Sequence, residues 1–106
     1  MAPPNIVLLG GRRSMKRQYT EVIKKFGYKP KILMQKVHKL DTVIGRPRAI
    51  IIVRTQVSHR VADEGVFVAK KHNIPVIFCK SSANSVRDAL MLLEDIKPAH
   101  QKILVG

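Results

Sequence analysis

Ala49-Ile-Ile-Ile-Val53 is the stretch that decides the fold of this chain. It holds five consecutive apolar residues, four of them β-branched, which is typical of a strand buried on both faces at the centre of a parallel sheet. Asn5-Ile-Val-Leu-Leu9 has the same apolar character and ends at Gly10 and Gly11, which predicts a second buried strand followed by a tight turn. Two strands of this kind favour the α/β class.

Stretches with helical spacing of apolar residues separate the predicted strands. They predict helices over 14–26, about 37–44, 61–72 and about 86–96. Further strands are predicted over 30–34 and 75–79, with a possible edge strand over 102–105. Alternating strands and helices predict a three-layer Rossmann-like or flavodoxin-like domain with a mainly parallel sheet of four or five strands, in the order 2-1-3-4(-5).

The predicted helix ends rest on capping residues. Gly27 and Asn73 are placed to end the first and third helices. Asp63 and Glu64 are expected in the first turn of the third helix, and Ser85 with Asp88 is expected to form a capping box at the start of the fourth.

Length and composition set the outer limits. A chain of 106 residues builds one core, so we expect a single α/β domain over 1–106, with 1–4 and 98–106 as terminal segments. The lone cysteine, Cys79, allows no internal disulfide and no cysteine-rich metal site, and it suits a reducing compartment. Neither a signal peptide nor an apolar run of about 20 residues is present, which predicts a cytoplasmic protein without a membrane partner.

The charge of the chain is its most informative bulk property. Twenty Lys and Arg residues against seven Asp and Glu leave a formal net charge of +13. Because repulsion within such a chain weakens the compact state, a partner that carries many negative charges is the expected explanation. The alternative is a solvated basic surface without a partner.

Three predicted loops meet at the carboxyl edge of the sheet, where folds of this class bind ligands. They are 10–14, 54–60 and 80–85, and each carries or adjoins basic residues. The residues predicted to bind nucleic acid or phosphate are Gly10, Gly11, Arg12, Arg13, Ser14, Lys16, Arg17, Arg54, Ser58, His59, Arg60, Lys80, Ser81, Ser82 and Arg87.

The start of the first helix carries the wrong charge for a helix dipole. Four cations surround the expected cap Ser14, whereas the third and fourth helices have acidic residues where the dipole favours them. A bound anion would remove this conflict, so we interpret 10–14 as a phosphate-binding turn. The alternative is that Gly10 and Gly11 only turn the chain while the arginines point into water.

Several enzyme and cofactor classes are disfavoured by spacing. Neither a dinucleotide fingerprint nor a Walker loop follows Gly10, because Arg12 and Met15 stand where glycines are required. Seven residues between Cys79 and Arg87 are too many for the phosphate loop of a thiol phosphatase, and no metal-ligand spacing links the histidines. We therefore predict no catalytic residue, no enzyme activity and no resident cofactor.

Several short motifs together resemble one bacterial family, the domain of unknown function 2325. They are Val7-Leu-Leu-Gly-Gly-Arg-Arg13, Tyr19, Val57-Ser58-His59, and Ile74-Pro75-Val76 leading to Ser81-Ser82. The resemblance covers about residues 6–93. It implies a small Rossmann-like domain with the Gly-Gly-Arg turn and the Ser-His pair on one rim, and it supplies no settled function. Some relatives look like haem-linked proteins, which makes His59 a candidate axial ligand, although the cations around it weaken that analogy.

The function predicted from these observations is nucleic-acid binding through backbone phosphates. Two tyrosines and no tryptophan supply little surface for base stacking, so low sequence specificity is expected, on DNA or RNA. Two alternatives use the same crevice: a module for a small phosphorylated ligand or nucleotide, and a haem-linked module. A homodimer joined through the edge strand at 102–105 is also possible on the sequence.

Overall fold

A computed structural model describes residues 3–35, 38–95 and 103–105, and it has one five-stranded sheet in the order β2-β1-β3-β4-β5. Every pairing between neighbouring strands is parallel. The predicted class and strand order are therefore confirmed. The strands are β1 (Asn5–Gly10), β2 (Lys29–Leu33), β3 (Ala49–Val53), β4 (Val76–Cys79) and β5 (Ile103–Val105).

Helices cover both faces of the sheet, as the three-layer prediction requires. α1 and α4 pack against one face, and α2 and α3 pack against the other. Short 3-10 turns precede α1 at Arg13–Met15 and follow β3 at Arg54–Gln56. The α-helices are α1 (Lys16–Lys25), α2 (Leu40–Ile44), α3 (His59–His72) and α4 (Ala83–Glu94).

The continuous apolar runs of β1 and β3 follow from this layering. Ile6 and Leu8 face α1 and α4, whereas Val7 and Leu9 face α2 and α3, and all four are fully buried. All five residues of β3 are also fully buried. Because side chains alternate between faces, a strand covered on both sides needs an apolar residue at every position.

The helix starts differ from the predictions. α3 begins at His59, because the Ser58 hydroxyl accepts a hydrogen bond from the Val61 N–H at 3.2 Å and so caps the helix earlier than expected. Asp63 and Glu64 consequently lie beyond its first turn, and the prediction that they occupy it is wrong.

The fourth helix is likewise capped earlier than predicted. α4 begins at Ala83, because the Ser82 hydroxyl accepts from the Ser85 N–H at 3.1 Å. The capping box of Ser85 with Asp88 is therefore wrong, since both residues lie inside the helix. The predicted loop over 81–85 is therefore wrong from Ala83 onward, because the Ser82 side chain satisfies a free backbone donor of the first turn and the helix begins there.

The first helix differs at its start and agrees at its end. Ser14 lies inside the 3-10 turn and caps nothing, and neither that turn nor α1 has a side-chain N-cap. Gly27 ends the helix as predicted, with φ +85°, and its N–H donates to the Lys24 carbonyl at 2.9 Å. The Tyr28 N–H donates to the Ile23 carbonyl at 3.3 Å, which completes a Schellman motif. Asn73 also ends α3 as predicted, with φ +57°.

Helix α2 is shorter than expected and is held to α3 by side chains. The Asp41 carboxylate accepts from Lys71 Nζ at 2.9 Å and lies 2.9 Å from His72 Nε2. These two bonds, with that from Lys71 the stronger influence, hold the pKa of Asp41 below its ordinary value. The predicted start of this helix, Val37, lies outside the described residues.

The predicted edge strand near the C-terminus is confirmed. β5 pairs with β4 from Ile103 to Val105 and forms the outer strand on that side, so 103–105 belong to the sheet. Pairing of two copies through this edge stays a prediction. Ile96 and Lys102, at predicted element ends, lie outside the described residues. In the part of the chain that the structure describes, no helix is both long and apolar enough to cross a membrane.

Candidate functional site

Three loops leave the sheet side by side at its carboxyl edge. Gly10 at the end of β1 is paired with Val53 at the end of β3, and Val53 is paired with Cys79 at the end of β4. Neighbouring strands lie about 4.8 Å apart, so the three loops begin within about 10 Å of one another. Loops 10–14, 54–60 and 80–85 therefore share one edge.

Tyr19 ties the first of these loops to the third. Its side chain is fully buried, and its hydroxyl donates a hydrogen bond to the Ser81 carbonyl at 2.5 Å and accepts one from the Arg12 N–H at 3.3 Å. The sequence placed Tyr19 on the apolar side of the first helix and among the family motifs, but it predicted no hydrogen-bonding role for the Tyr19 hydroxyl. The available signal was a tyrosine on the core face of a helix, since a buried phenol hydroxyl usually finds a partner.

The glycine pair is explained in part by this tyrosine. Gly10 and Gly11 both have φ +89°, a region that other residues rarely adopt. A Cβ on Gly11 would lie only 2.6 Å from Cε2 of Tyr19. Gly11 is therefore required for the turn and for the close approach of the loop to the ring, whether or not a phosphate binds there.

The basic side chains of the edge line clefts on both sides of it. Arg13 and Lys16 line a cleft of about 660 Å³ between α1 and the end of β2. Arg54 and His59 line another of about 280 Å³ beside α3. Gly10 and Ser58 line a third of about 300 Å³. The three loops thus lie at one edge of the sheet, but their basic side chains line different clefts around that edge.

Among the other candidate residues, two arginines form ion pairs and most of the rest are exposed. Arg17 is paired with Glu21 at 3.3 Å, and Arg60 is paired with Glu64 at 3.5 Å. Both pairs are largely exposed, so each is weak enough to give way to a phosphate. The Ser58 and Ser82 hydroxyls are used as helix caps. The remaining candidates are mainly exposed: Arg12, Ser14, Lys80 and Arg87, with Ser81 partly buried.

His59 is exposed as the first residue of α3, and it does not cap the helix. Its cleft has apolar walls from Val57 and Phe78, but its volume of about 280 Å³ lies below the range of about 300 to 1,000 Å³ typical of small-molecule sites. No observation here favours a haem ligand. Among the residues that the structure describes, no three His, Cys, Asp or Glu side chains are grouped to hold a metal ion.

Cys79 lies at the same edge, but its thiol is unsuited to nucleophilic chemistry. Its side chain is fully buried, and this burial raises its pKa to about 11. The nearby Arg54 guanidinium favours the thiolate and offsets only part of that rise. About one thiol in a thousand is then ionised at pH 8, against about a quarter for an ordinary cysteine.

We expect iodoacetamide to alkylate Cys79 at pH 8 at least about 100-fold more slowly in the native protein than in the urea-unfolded protein. The reason is that both access and thiolate content are low in the folded state. The rate is measured by mass spectrometry of quenched samples. Equal rates in the two states would show an accessible thiol and contradict this description.

Comparison with known proteins gives one family and no individual relative. A family model described as "Uncharacterized protein conserved in bacteria (DUF2325)" matches residues 5–93. No curated protein and no solved structure matches the chain. The matched range contains Tyr19 and the three loops of the carboxyl edge.

Proposed function

The chain belongs to the DUF2325 family of bacterial proteins, and we propose that it binds nucleic acid through phosphate contacts at the carboxyl edge of its sheet, without covalent chemistry. The family description names no activity, so the proposal depends on the chain's own residues. It explains part of the net charge of +13, because it assigns basic residues at the carboxyl edge of the sheet to contacts with phosphate.

The observation that carries the proposal is the alignment of three strand ends. Gly10, Val53 and Cys79 lie in one row across the sheet, and each is followed within three residues by exposed basic side chains. Cations that come from three distant segments of the chain can then contact successive phosphates of one backbone. The cations that directly follow these strand ends are Arg12, Arg13, Arg54 and Lys80.

The start of α1 supports the proposal independently. Serine hydroxyls cap α3 and α4, whereas α1 and the turn before it have no side-chain cap and no acidic residue in the first turn. Each cation there opposes the helix dipole by about 0.3 to 1 kcal/mol. A phosphate would satisfy the free N–H groups and reverse this penalty. Of these two features, α1 differs from α3 and α4 only in lacking a side-chain cap, because α3 and α4 also have no acidic residue in the first turn.

Low base specificity fits the positions of the two tyrosines. Tyr19 is fully buried and Tyr28 is half-buried, so neither offers an open face for a base. Phosphate contacts position a nucleic acid without reading its sequence. Affinity is therefore expected to depend on charge and length far more than on sequence.

A salt titration tests the proposal. With about five phosphates neutralised, the affinity for a labelled single strand should fall by about 100-fold between about 50 and about 200 mM salt, because displaced counterions drive the association. Fluorescence anisotropy measures this for strands of different composition. Absence of binding at the lower salt concentration contradicts nucleic-acid binding. Saturation by a mononucleotide that competes fully with long strands would instead indicate a small phosphorylated ligand.

A further inference from the structure

A second basic concave surface extends away from the edge loops. Two clefts, of about 660 and about 380 Å³, lie between α1 and β2, and both are lined by Lys16 and Ile32. The two clefts therefore adjoin at these residues, and we call them together the α1–β2 groove. Its other lining residues include Arg13, Lys24, Lys29 and Pro30.

The groove runs along the whole of α1. Arg13, Lys16, Thr20 and Lys24 recur at intervals of three or four residues, which places them on one side of the helix. At about 2.0 Å per residue in the 3-10 turn and about 1.5 Å in α1, Arg13 and Lys24 lie about 18 Å apart along the axis. The Arg13 end lies at the carboxyl edge, and the other end lies beside Lys29, the first residue of β2. One end of the groove therefore opens at the edge loops.

The groove is basic at its rim and apolar at its floor. Its rim carries Arg13, Lys16, Lys24 and Lys29, and none of the described residues that line it is acidic. Glu21 on α1 is held by Arg17 at 3.3 Å. The floor is apolar and half-buried at Pro30 and Ile32. β2 is the outer strand of the described sheet, so the groove lies at an open side of the fold.

We propose that a single-stranded nucleic acid continues from the carboxyl edge into the α1–β2 groove, with phosphates on the cationic rim and bases over Pro30 and Ile32. This inference rests on the proposed function and names the form of nucleic acid that the protein binds. A duplex hides the faces of its bases in the stack and presents its backbone and the base edges in its grooves. A single strand presents both phosphates and base faces, which match the rim and the floor together.

The groove sets a minimum length for full affinity. A strand that reaches only the edge loops contacts Arg12, Arg13 and their neighbours, whereas a longer strand also reaches Lys24 and Lys29. Each added phosphate contact on a single strand contributes about 0.7 to the slope of log affinity against log salt. Lys24 and Lys29 together should therefore add about 1.4 to that slope for long strands and nothing for short ones.

The double variant Lys24→Glu with Lys29→Glu tests this directly. We expect at least a 10-fold loss of affinity for an oligothymidylate of about 15 nucleotides, a fall in salt slope of about 1.4, and no change for one of about 4 nucleotides. The matched control is Arg46→Glu with Lys70→Glu, which has the same net charge. Lys70 occupies the last turn of α3, as Lys24 does in α1, and both control residues are exposed and outside the groove.

The outcomes separate the groove from the proposed function. If the wild-type protein binds neither oligonucleotide, the proposed function fails. If it binds and the Lys24/Lys29 variant matches the control variant on both lengths, the groove is wrong while binding at the edge stands. Tighter binding of a duplex of equal length, with the same loss in the variant, overturns the single-stranded path. Thermal unfolding of each variant checks its folding, and Lys24→Gln with Lys29→Gln repeats the test without added negative charge.

Discussion

Replacing both arginines of the edge turn, in Arg12→Glu with Arg13→Glu, is expected to lower the affinity for single-stranded nucleic acid by at least about 100-fold at low salt. Each charge-assisted contact to a phosphate contributes about 1.5 kcal/mol or more, and about 1.4 kcal/mol corresponds to a factor of ten. The salt slope should fall by about 1.4, since two phosphate contacts are lost. Anisotropy titrations at several salt concentrations measure both quantities.

The same substitutions should make the protein more stable. Glutamates at the start of α1 interact favourably with the helix dipole, by about 0.3 to 1 kcal/mol each, where the arginines oppose it. Urea unfolding is therefore expected to show a raised midpoint. Loss of binding together with gain of stability excludes misfolding as the reason for the loss.

A charge-matched variant provides the control. Each reversal lowers the net charge by two, so this variant and Arg46→Glu with Lys70→Glu both change from +13 to +9. Arg46 precedes β3 at the opposite end of the sheet, and Lys70 lies on α3. If the two double variants lose affinity equally, net charge alone explains binding, and the edge turn has no special role.

Gly11→Ala is expected to destabilise the fold by about 2 to 5 kcal/mol. A left-handed backbone costs a non-glycine residue about 1 to 2 kcal/mol. The added methyl also meets the fully buried Tyr19 ring at 2.6 Å, and such overpacking costs about 1 to 3 kcal/mol more. Because the displaced ring carries the hydroxyl that joins Arg12 to Ser81, nucleic-acid affinity should fall as well.

Gly27→Ala separates the cost of the left-handed backbone from the cost of the contact with the Tyr19 ring. Gly27 has φ +85°, close to the +89° of Gly11, but a Cβ there has no neighbour within 4 Å. We expect it to cost only about 1 kcal/mol, the backbone contribution reduced by the lower entropy of the unfolded chain. Urea unfolding curves of both variants give the comparison. Equal losses would mean that the loop moves freely away from Tyr19 and that the ring does not hold it.

The helix starts show where local sequence reasoning reached its limit. Strand positions were predictable because an apolar run covered on both faces leaves few alternatives, as in β3. The starts of α3 and α4 were not predictable in this way, because a serine and an acidic residue near each start favoured different first residues of the helix. Ser58 and Ser82 became the caps in the folded chain, and the acidic residues that were expected to decide the boundary came to lie inside the helices.

For the candidate site, the sequence predicted which loops come together but not where their side chains lie. A parallel sheet with the order 2-1-3-4 brings the ends of β1, β3 and β4 to one edge, so the three loops could be named in advance. Their side chains could not be placed. Arg13 and Lys16 line the groove beside β2, Arg54 and His59 line a cleft beside α3, and Arg17 and Arg60 are paired with glutamates.

By itself, then, the amino-acid sequence determined the α/β class, the strand order and the edge at which the basic loops emerge, because these follow from local apolar periodicity and from the handedness of parallel crossovers. Only the tertiary structure decided how that edge is held and how far its basic surface extends. Tyr19 and Ser81 are 62 residues apart in the chain, and α1 forms a groove only with the strand beside it. Contacts of this kind depend on how side chains pack between elements, which no local pattern records.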